Sequence, residues 1–311
     1  MDCVHYLPAM TVVDRFRRFS RTWTEIIGLL GSGLLQTDHS LTEARVLFEL
    51  AQQERWERSD LRSRLDIDAS FLTRVLGRLE DKGLVTSSQS PDDGRALIVE
   101  LTAAGRGAFA ELDRRSVEQV TDLVSPLTEE QKTSLVESMG VITHLLRPDD
   151  SSGEVVIRGI RPGDLGWVVS RHGAIYAQEY GWDISFEGLV AKIVADYQAN
   201  FRPGRENAWI AELDGARAGC VFCVERDLAT AQLRILIVEP WARGHGIGRR
   251  LVDECVSFAR SAGYEKMMLW TNDVLVSARR IYEAVGFRLV EEEQHHSFGH
   301  DLVGQNWELD L

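Results

Sequence analysis

The segment Arg243-Gly-His-Gly-Ile-Gly248 places glycines at every second position, immediately ahead of an amphipathic run. Glycine adopts backbone dihedrals that let successive N–H groups face one point. A helix start adds unsatisfied N–H donors and the positive end of the helix dipole. Such a loop suits a diphosphate. It is not a Walker loop, because no Gly-Lys-Ser/Thr follows, and its glycine spacing differs from the dinucleotide-binding fingerprint. A second block lies downstream: Asn272, Ala278, Tyr282 and Gly286-Phe287. Ala278 and Tyr282 are four apart and share one helix face.

The elements around these residues read as an alternation of strands and helices. Gln232–Val238 is an apolar strand ended by Glu239-Pro240, and Arg249–Ala262 is the helix after the loop. Lys266–Thr271 is the next strand, followed by a helix that Gly286 closes. Upstream come a strand at Val155–Arg158, helices containing Leu165–Glu179 and Phe186–Phe201, and strands at Ala208–Leu213 and Arg217–Val224. Asp214-Gly215 supplies the turn between the last two.

Over residues 155–311 the chain resembles the GNAT N-acetyltransferases. The motifs are Arg-x-x-Gly-x-Gly after a strand ending in Glu-Pro, then Asn, a small residue, Tyr and Gly-Phe. The resemblance implies an α/β (α+β) acetyltransferase domain with acetyl-CoA as co-substrate and no metal. It implies that the backbone of Leu236, Ile237 and Val238 pairs with the pantetheine arm. It also implies that Arg243, Gly244, His245, Gly246, Ile247, Gly248 and Arg249 hold the pyrophosphate. Asn272 and Ala278 would contact the acyl-pantetheine, with Tyr282 beside the sulfur as hydrogen-bond or proton donor. The general base is left open among Glu239, Glu212, Glu225 and a water relay. Tyr180, Trp182 and Phe186 are candidates for a pocket that takes a small, aromatic or apolar amine.

The first half reads differently. Ser40-Leu-Thr-Glu43 opens a helix as a capping box. A short helix around Asp60–Leu65, a turn, a helix Ala69–Lys82 closed by Gly83, and strand-like runs at Leu84–Thr86 and Ala96–Leu101 follow. The strands flank the turn Ser90-Pro-Asp-Asp-Gly-Arg95, and two long helices, Ala103–Val124 and Thr128–Leu146, come after. Residues 10–147 resemble the MarR family of transcriptional regulators, on Phe71–Val85, the Pro91–Arg95 wing and Leu101-Thr-Ala-Ala-Gly105. That implies a mainly-α winged helix-turn-helix, with Ala69–Lys82 entering the major groove of double-stranded DNA. Ser70, Thr73, Arg74 and Arg78 would face the DNA and Arg95 would reach the minor groove. Leu72, Val75, Leu76 and Leu79 would face the core. The resemblance also implies a homodimer reading a palindromic operator. Thr86-Ser-Ser stands where the family often has a further arginine.

The boundaries expected are a DNA-binding and dimerisation domain over 1–148, a linker over 149–153, and the acetyltransferase over 154–311. A net charge of −13 excludes indiscriminate nucleic-acid binding by the whole surface, though not a local basic patch. No apolar run reaches the ~20 residues of a membrane span, and no secretory pattern opens the chain, so a cytoplasmic location is expected. Cys220 and Cys223 are read as core thiols on opposite faces of a strand, and His295, His296 and His300 as loop residues. Three alternatives stand beside the bifunctional reading: a transferase whose winged helix only dimerises, a regulator that uses acetyl-CoA or an amine as ligand, and a transferase whose acceptor is a protein lysine or N-terminus.

Overall fold

A computed structural model describes residues 10–29, 34–91, 94, 96–147 and 153–311. The chain divides into two compact units, Met1–Leu127 and Thr128–Leu311.

In the first unit, α1 (Val12–Ile26) begins with a reciprocal cap between Thr11 and Asp14. Next, α2 (Leu41–Ala51) starts at the Ser40/Glu43 capping box that the sequence predicts. Then come β1 (Trp56–Glu57), α3 (Arg58–Leu65) and α4 (Ala69–Asp81), capped by Asp68. Gly83, at φ 69°, turns the chain into β2 (Val85–Gln89) and its partner β3 (Leu97–Leu101). Leu72, Val75, Leu76 and Leu79 are buried, the stripe expected for the inner face of α4, and pack with Val46 and Leu47 of α2. The unit closes with α5 (Ala103–Val124). Arg95 and the wing-tip aspartates lie outside the described residues.

The second unit begins with α6 (Glu129–Leu146), which the sequence places in the first domain. It packs through buried Gly140 and His144; His144 Nε2 lies 2.9 Å from Asp214, and Glu137 pairs with Arg217 at 2.9 Å. After it come β4 (Val155–Gly159), α7 (Asp164–Tyr180), α8 (Ile184–Asn200), β5 (Asn207–Leu213), β6 (Ala216–Glu225) and β7 (Thr230–Val238). The remainder is α9 (Ile247–Ser261), β8 (Lys266–Asn272), α10 (Val276–Val285), β9 (Arg288–Ser297) and β10 (His300–Asp310). His295 and His296 therefore sit on a strand and His300 begins another, rather than in a loop, because this chain end forms a long hairpin.

The seven strands run in the order β4-β5-β6-β7-β8-β10-β9, antiparallel except for β7 beside β8. Both faces are covered. Cys223 packs with Leu251, Val252 and Cys255 of α9 on one face. Cys220 packs with Val168 of α7 and Val190 of α8 on the other, so the two cysteines do take opposite sides.

Candidate active site

The cleft is made by two strands that part. β7 and β8 pair in parallel only from Thr230–Lys266 to Leu233–Leu269. Beyond Leu233, β7 bends. Its register with β6 shifts between Cys220 and Phe222, and Ile235 has φ 50°, a left-handed conformation that a β-branched residue rarely takes. The edge of Leu236–Val238 that faces β8 is left without ladder partners, although β6 still pairs with its other edge.

At one end of the gap the Gly-rich loop leads into α9. Gly244 and Gly246 have φ 92° and 72°, and no side chain caps the helix. The N–H groups of Ile247, Gly248 and Arg249 thus open the helix with no preceding turn to bond. A Cβ on Gly248 would come within 2.8 Å of Ile281 on α10, so glycine permits the close approach of the two helices. These residues line a cavity of ≈ 450 Å³ together with Tyr180 and the Leu236–Val238 edge. Arg243 pairs with Glu179 of α7 at 2.8 Å, and Arg249 with Asp253 at 2.8 Å. His245 is half-buried, its ring 5.6 Å edge-on from His144.

A second cavity of ≈ 380 Å³ adjoins, sharing Tyr176, Leu236, Leu275 and Ala278 in its wall. Asn272, Tyr282, Trp182 and Phe186 line it. Asn272 is buried, and its Oδ1 accepts from His295 Nε2 at 2.9 Å; His295 Nδ1 meets the Ser297 hydroxyl at 2.9 Å. Burial pushes the Tyr282 phenol well above its ordinary pKa, with Tyr176 and Cys255 adding to the shift. It stays protonated at neutral pH. Trp182 stacks on Phe298 at 4.7 Å and Phe186 lies tilted against Tyr176 at 4.5 Å, so the aromatic wall is also part of the packing.

The structure thus brings the predicted loop, Asn272, Ala278, Tyr282, Trp182 and Phe186 to one cleft, and puts Tyr180 at its loop end. The three candidate bases do not line it. Glu239 is buried against Arg171 at 2.9 Å, Glu212 is held by Arg158, and Glu225 by Arg205 at 2.8 Å. Among the wall residues not singled out in the sequence are His172, Arg226 and Arg234. His172 is fully buried and its Nδ1 meets the Val168 carbonyl at 2.8 Å, while Nε2 has no partner among the described residues. Burial lowers its pKa to about 4. Nothing in the local sequence marks these three, since lone arginines and histidines on strands and helices are usually solvated.

In the first unit, Ser70, Thr73 and Arg74 are exposed on α4. Ser70 donates to Asp68 at 2.6 Å, Thr73 to the Ala69 carbonyl at 2.6 Å, and Arg74 lies over the Phe71 ring. Arg78 and Lys82 both reach the buried carboxylate of Glu43, at 3.0 and 3.3 Å. The Ser40 backbone and the two cations hold Glu43 down at about 2, against the opposing effect of its burial. Arg78 therefore ties α4 to α2.

Residues 174–287 match the Acetyltransferase (GNAT) family and residues 40–97 the MarR family. Over 106 residues the chain is 33% identical to N-acetylaspartate synthetase of Danio rerio, covering 33% of this chain and 38% of that protein. Over 101 residues it is 27% identical to an uncharacterized HTH-type transcriptional regulator of Bacillus subtilis, covering 32% of this chain and 62% of that protein. The matches thus span less than two thirds of either relative. Spermidine N-acetyltransferase from Vibrio cholerae, solved in complex with CoA and spermine, aligns with TM-score 0.42 and 17% identity over 50% of this chain and 95% of that one. The chain joins a MarR-family segment, residues 40–97, to a GNAT-family acetyltransferase segment, residues 174–287.

Proposed function

We propose that the second unit transfers an acetyl group from acetyl-CoA to the nitrogen of a small amine, and that the first binds operator DNA as a homodimer. One observation carries the enzymatic half: the parting of β7 from β8, with an uncapped glycine-lined helix start at one end and Asn272 and Tyr282 beyond it. Acetyl-CoA supplies an acetyl group activated as a thioester. The N–H groups of Gly244–Arg249 hold its diphosphate, as helix starts do for anions. The free main-chain edge of Leu236, Ile237 and Val238 holds the pantetheine arm by strand-like pairing. Asn272, its carbonyl engaged by His295, turns its amide N–H groups to the acyl end.

The amine lone pair forms a C–N bond to the carbonyl carbon as the C–S bond breaks. The nitrogen gives up one proton to a water that relays it to solvent, and the sulfur takes one from a hydroxyl that solvent then reprotonates. Tyr282, kept protonated by burial, is the donor to the sulfur. Removing its hydroxyl costs on the order of 10²–10⁴-fold in kcat, the usual worth of a general acid. Trp182 and Phe186 give the acceptor an apolar, aromatic-lined wall. An acceptor screen that follows CoA release tests the reading, with Tyr282→Phe as its control. Undiminished turnover in that variant would remove Tyr282 from the chemistry. Acetyl-CoA binding with no amine consumed would make the unit a ligand sensor instead.

For the first unit, α1 buries none of its residues and exposes Phe16, Phe19 and Trp23, while α5 exposes Val117, Val120 and Leu123. Apolar stripes of this kind are covered by a second copy in a dimer. Ser70, Thr73, Arg74 and Arg95 are its DNA contacts, with Arg78 reaching phosphate at the expense of its Glu43 pair. A DNA-binding role fits the cytoplasmic location expected from the sequence. Salt-sensitive gel shifts and sedimentation test the two halves of this reading, and adding acetyl-CoA to the gel shift tests whether donor binding reports to DNA.

A further inference from the structure

The amine-side cavity holds two arginines, Arg234 and Arg226, and no carboxylate in its own wall. Arg234, on β7, lines it half-buried, and Arg226 stands at its rim against the Met268 sulfur. Among the described residues neither forms an ion pair, and no aspartate or glutamate lines the cavity. Three other arginines drawn below the surface of this unit are answered by carboxylates, Arg158 by Asp164 at 2.6 Å, Arg171 by Glu239 and Arg205 by Glu225, whereas Arg279 donates to the Asp273 carbonyl. Burial holds the Arg234 guanidinium below its ordinary pKa, and only Asp196 acts against that shift. A desolvated guanidinium has given up hydration that a ligand anion can replace.

The wall also contains His172, whose buried Nε2 has no partner among the described residues. With the Nδ1 proton given to the Val168 carbonyl, Nε2 presents a lone pair. The wall therefore asks for an anion at Arg234 and a hydrogen-bond donor at His172, beside the rings of Trp182 and Phe186.

We propose that the acceptor is an amine that also carries a carboxylate, a molecule of the amino-acid class, anchored by Arg234 with Arg226 at the mouth. The fork of N–H groups on a guanidinium matches two carboxylate oxygens, and its planar geometry fixes the ligand's orientation. The amine is left to face His172 and the thioester. A polyamine or a lysine-rich peptide meets two positive charges here and no carboxylate, which selects against it. This inference rests on the acetyl-transfer reading of the cleft.

The test uses the full chain with acetyl-CoA and amines matched with and without a carboxylate: phenylalanine against phenethylamine, leucine against isoamylamine, and spermidine as a polycation. CoA release reads turnover. Quenching of intrinsic fluorescence reads binding separately, since Trp182 and Trp270 lie in the cavity wall. The carboxylated member of each pair is expected to be preferred by on the order of 30-fold in kcat/KM, mainly through KM. That ratio should collapse toward one in Arg234→Gln and recover in part in Arg234→Lys. A ratio within one variant is insensitive to how much of it folds. Equal use of both members, preference for spermidine, or a ratio unchanged in Arg234→Gln would overturn the proposal. If no amine is acetylated, the acetyl-transfer reading fails, and the fluorescence titration still decides the anion site: tighter binding of the carboxylated member supports it, and equal binding overturns it.

Discussion

His172 shows how one side chain can carry both a functional and a thermodynamic consequence. It is wholly enclosed on α7, and burial lowers its pKa from the usual 6.5 to about 4. The unfolded chain takes up a proton at that histidine near pH 6.5, whereas the folded chain resists until about pH 4. The unfolded state thus binds more protons through this window, so stability falls as pH drops from 6.5 to 4. The whole loss is about 3 kcal/mol. Thermal melting at pH 7 and pH 5 checks this: the fall in Tm should be larger for the native chain than for His172→Gln, which has no proton to take up. Equal falls in the two would mean that His172 titrates as it does in water.

At the scale of elements, the cleft depends on a bend that local sequence does not announce. Helix limits were legible where their signals are local: Ser40 with Glu43 at the start of α2, and Gly83 and Gly286 at helix ends. The Gly-rich loop and the Asn272–Tyr282 block were legible because several residues had to coincide. The bend in β7 was not, because Ile235 is among the residues least suited to a left-handed backbone, at a cost of roughly 1–2 kcal/mol. Arg234 and His172 escaped notice for a related reason. Their meaning lies in partners they lack, which only the packed structure can reveal. Gly219 supports the same bend from β6: a Cβ there would sit 2.6 Å from the Ile237 carbonyl oxygen, a backbone atom with little room to yield. Gly219→Ala is therefore expected to destabilise the second unit by about 2 kcal/mol. It should also weaken acetyl-CoA binding, since Ile237 lies on the open strand edge proposed to hold the pantetheine arm. Melting and calorimetric titration would measure both, and a variant with native Tm and native affinity would show that the strand pair can absorb the extra carbon.

At the scale of the molecule, the chain divides into compact units earlier than composition indicates. Polar, turn-forming residues at 149–153 make the natural place to cut a sequence, and they are not where the compact units divide. That division comes after Leu127, and α6 packs against the sheet of the second unit. The physical reason lies on its inner face. Gly140 leaves room for Ala216, whose Cβ would be only 3.0 Å from a Cβ at position 140. His144 is 4% exposed, bonded to Asp214 and stacked on Trp241 at 5.4 Å, and its ring lies 5.6 Å from that of His245 in the Gly-rich loop. Glu137 answers Arg217. A fragment of residues 128–311 is therefore expected to fold alone and to acetylate acceptors as the full chain does. A fragment of residues 154–311 strips α6 away, uncovers Ala216 and Trp241, and leaves Arg217 and Asp214 without these partners. Losing a packed, hydrogen-bonded helix face of this size should cost on the order of 3 kcal/mol or more, a large share of the stability of a single domain. Side-by-side melting and acetyl-CoA titration of the two fragments decides between the boundaries. Matching Tm and affinity in both would show that α6 adds nothing to the unit it covers, while a lower Tm and weaker donor binding in the shorter one would fix α6 as part of the catalytic unit.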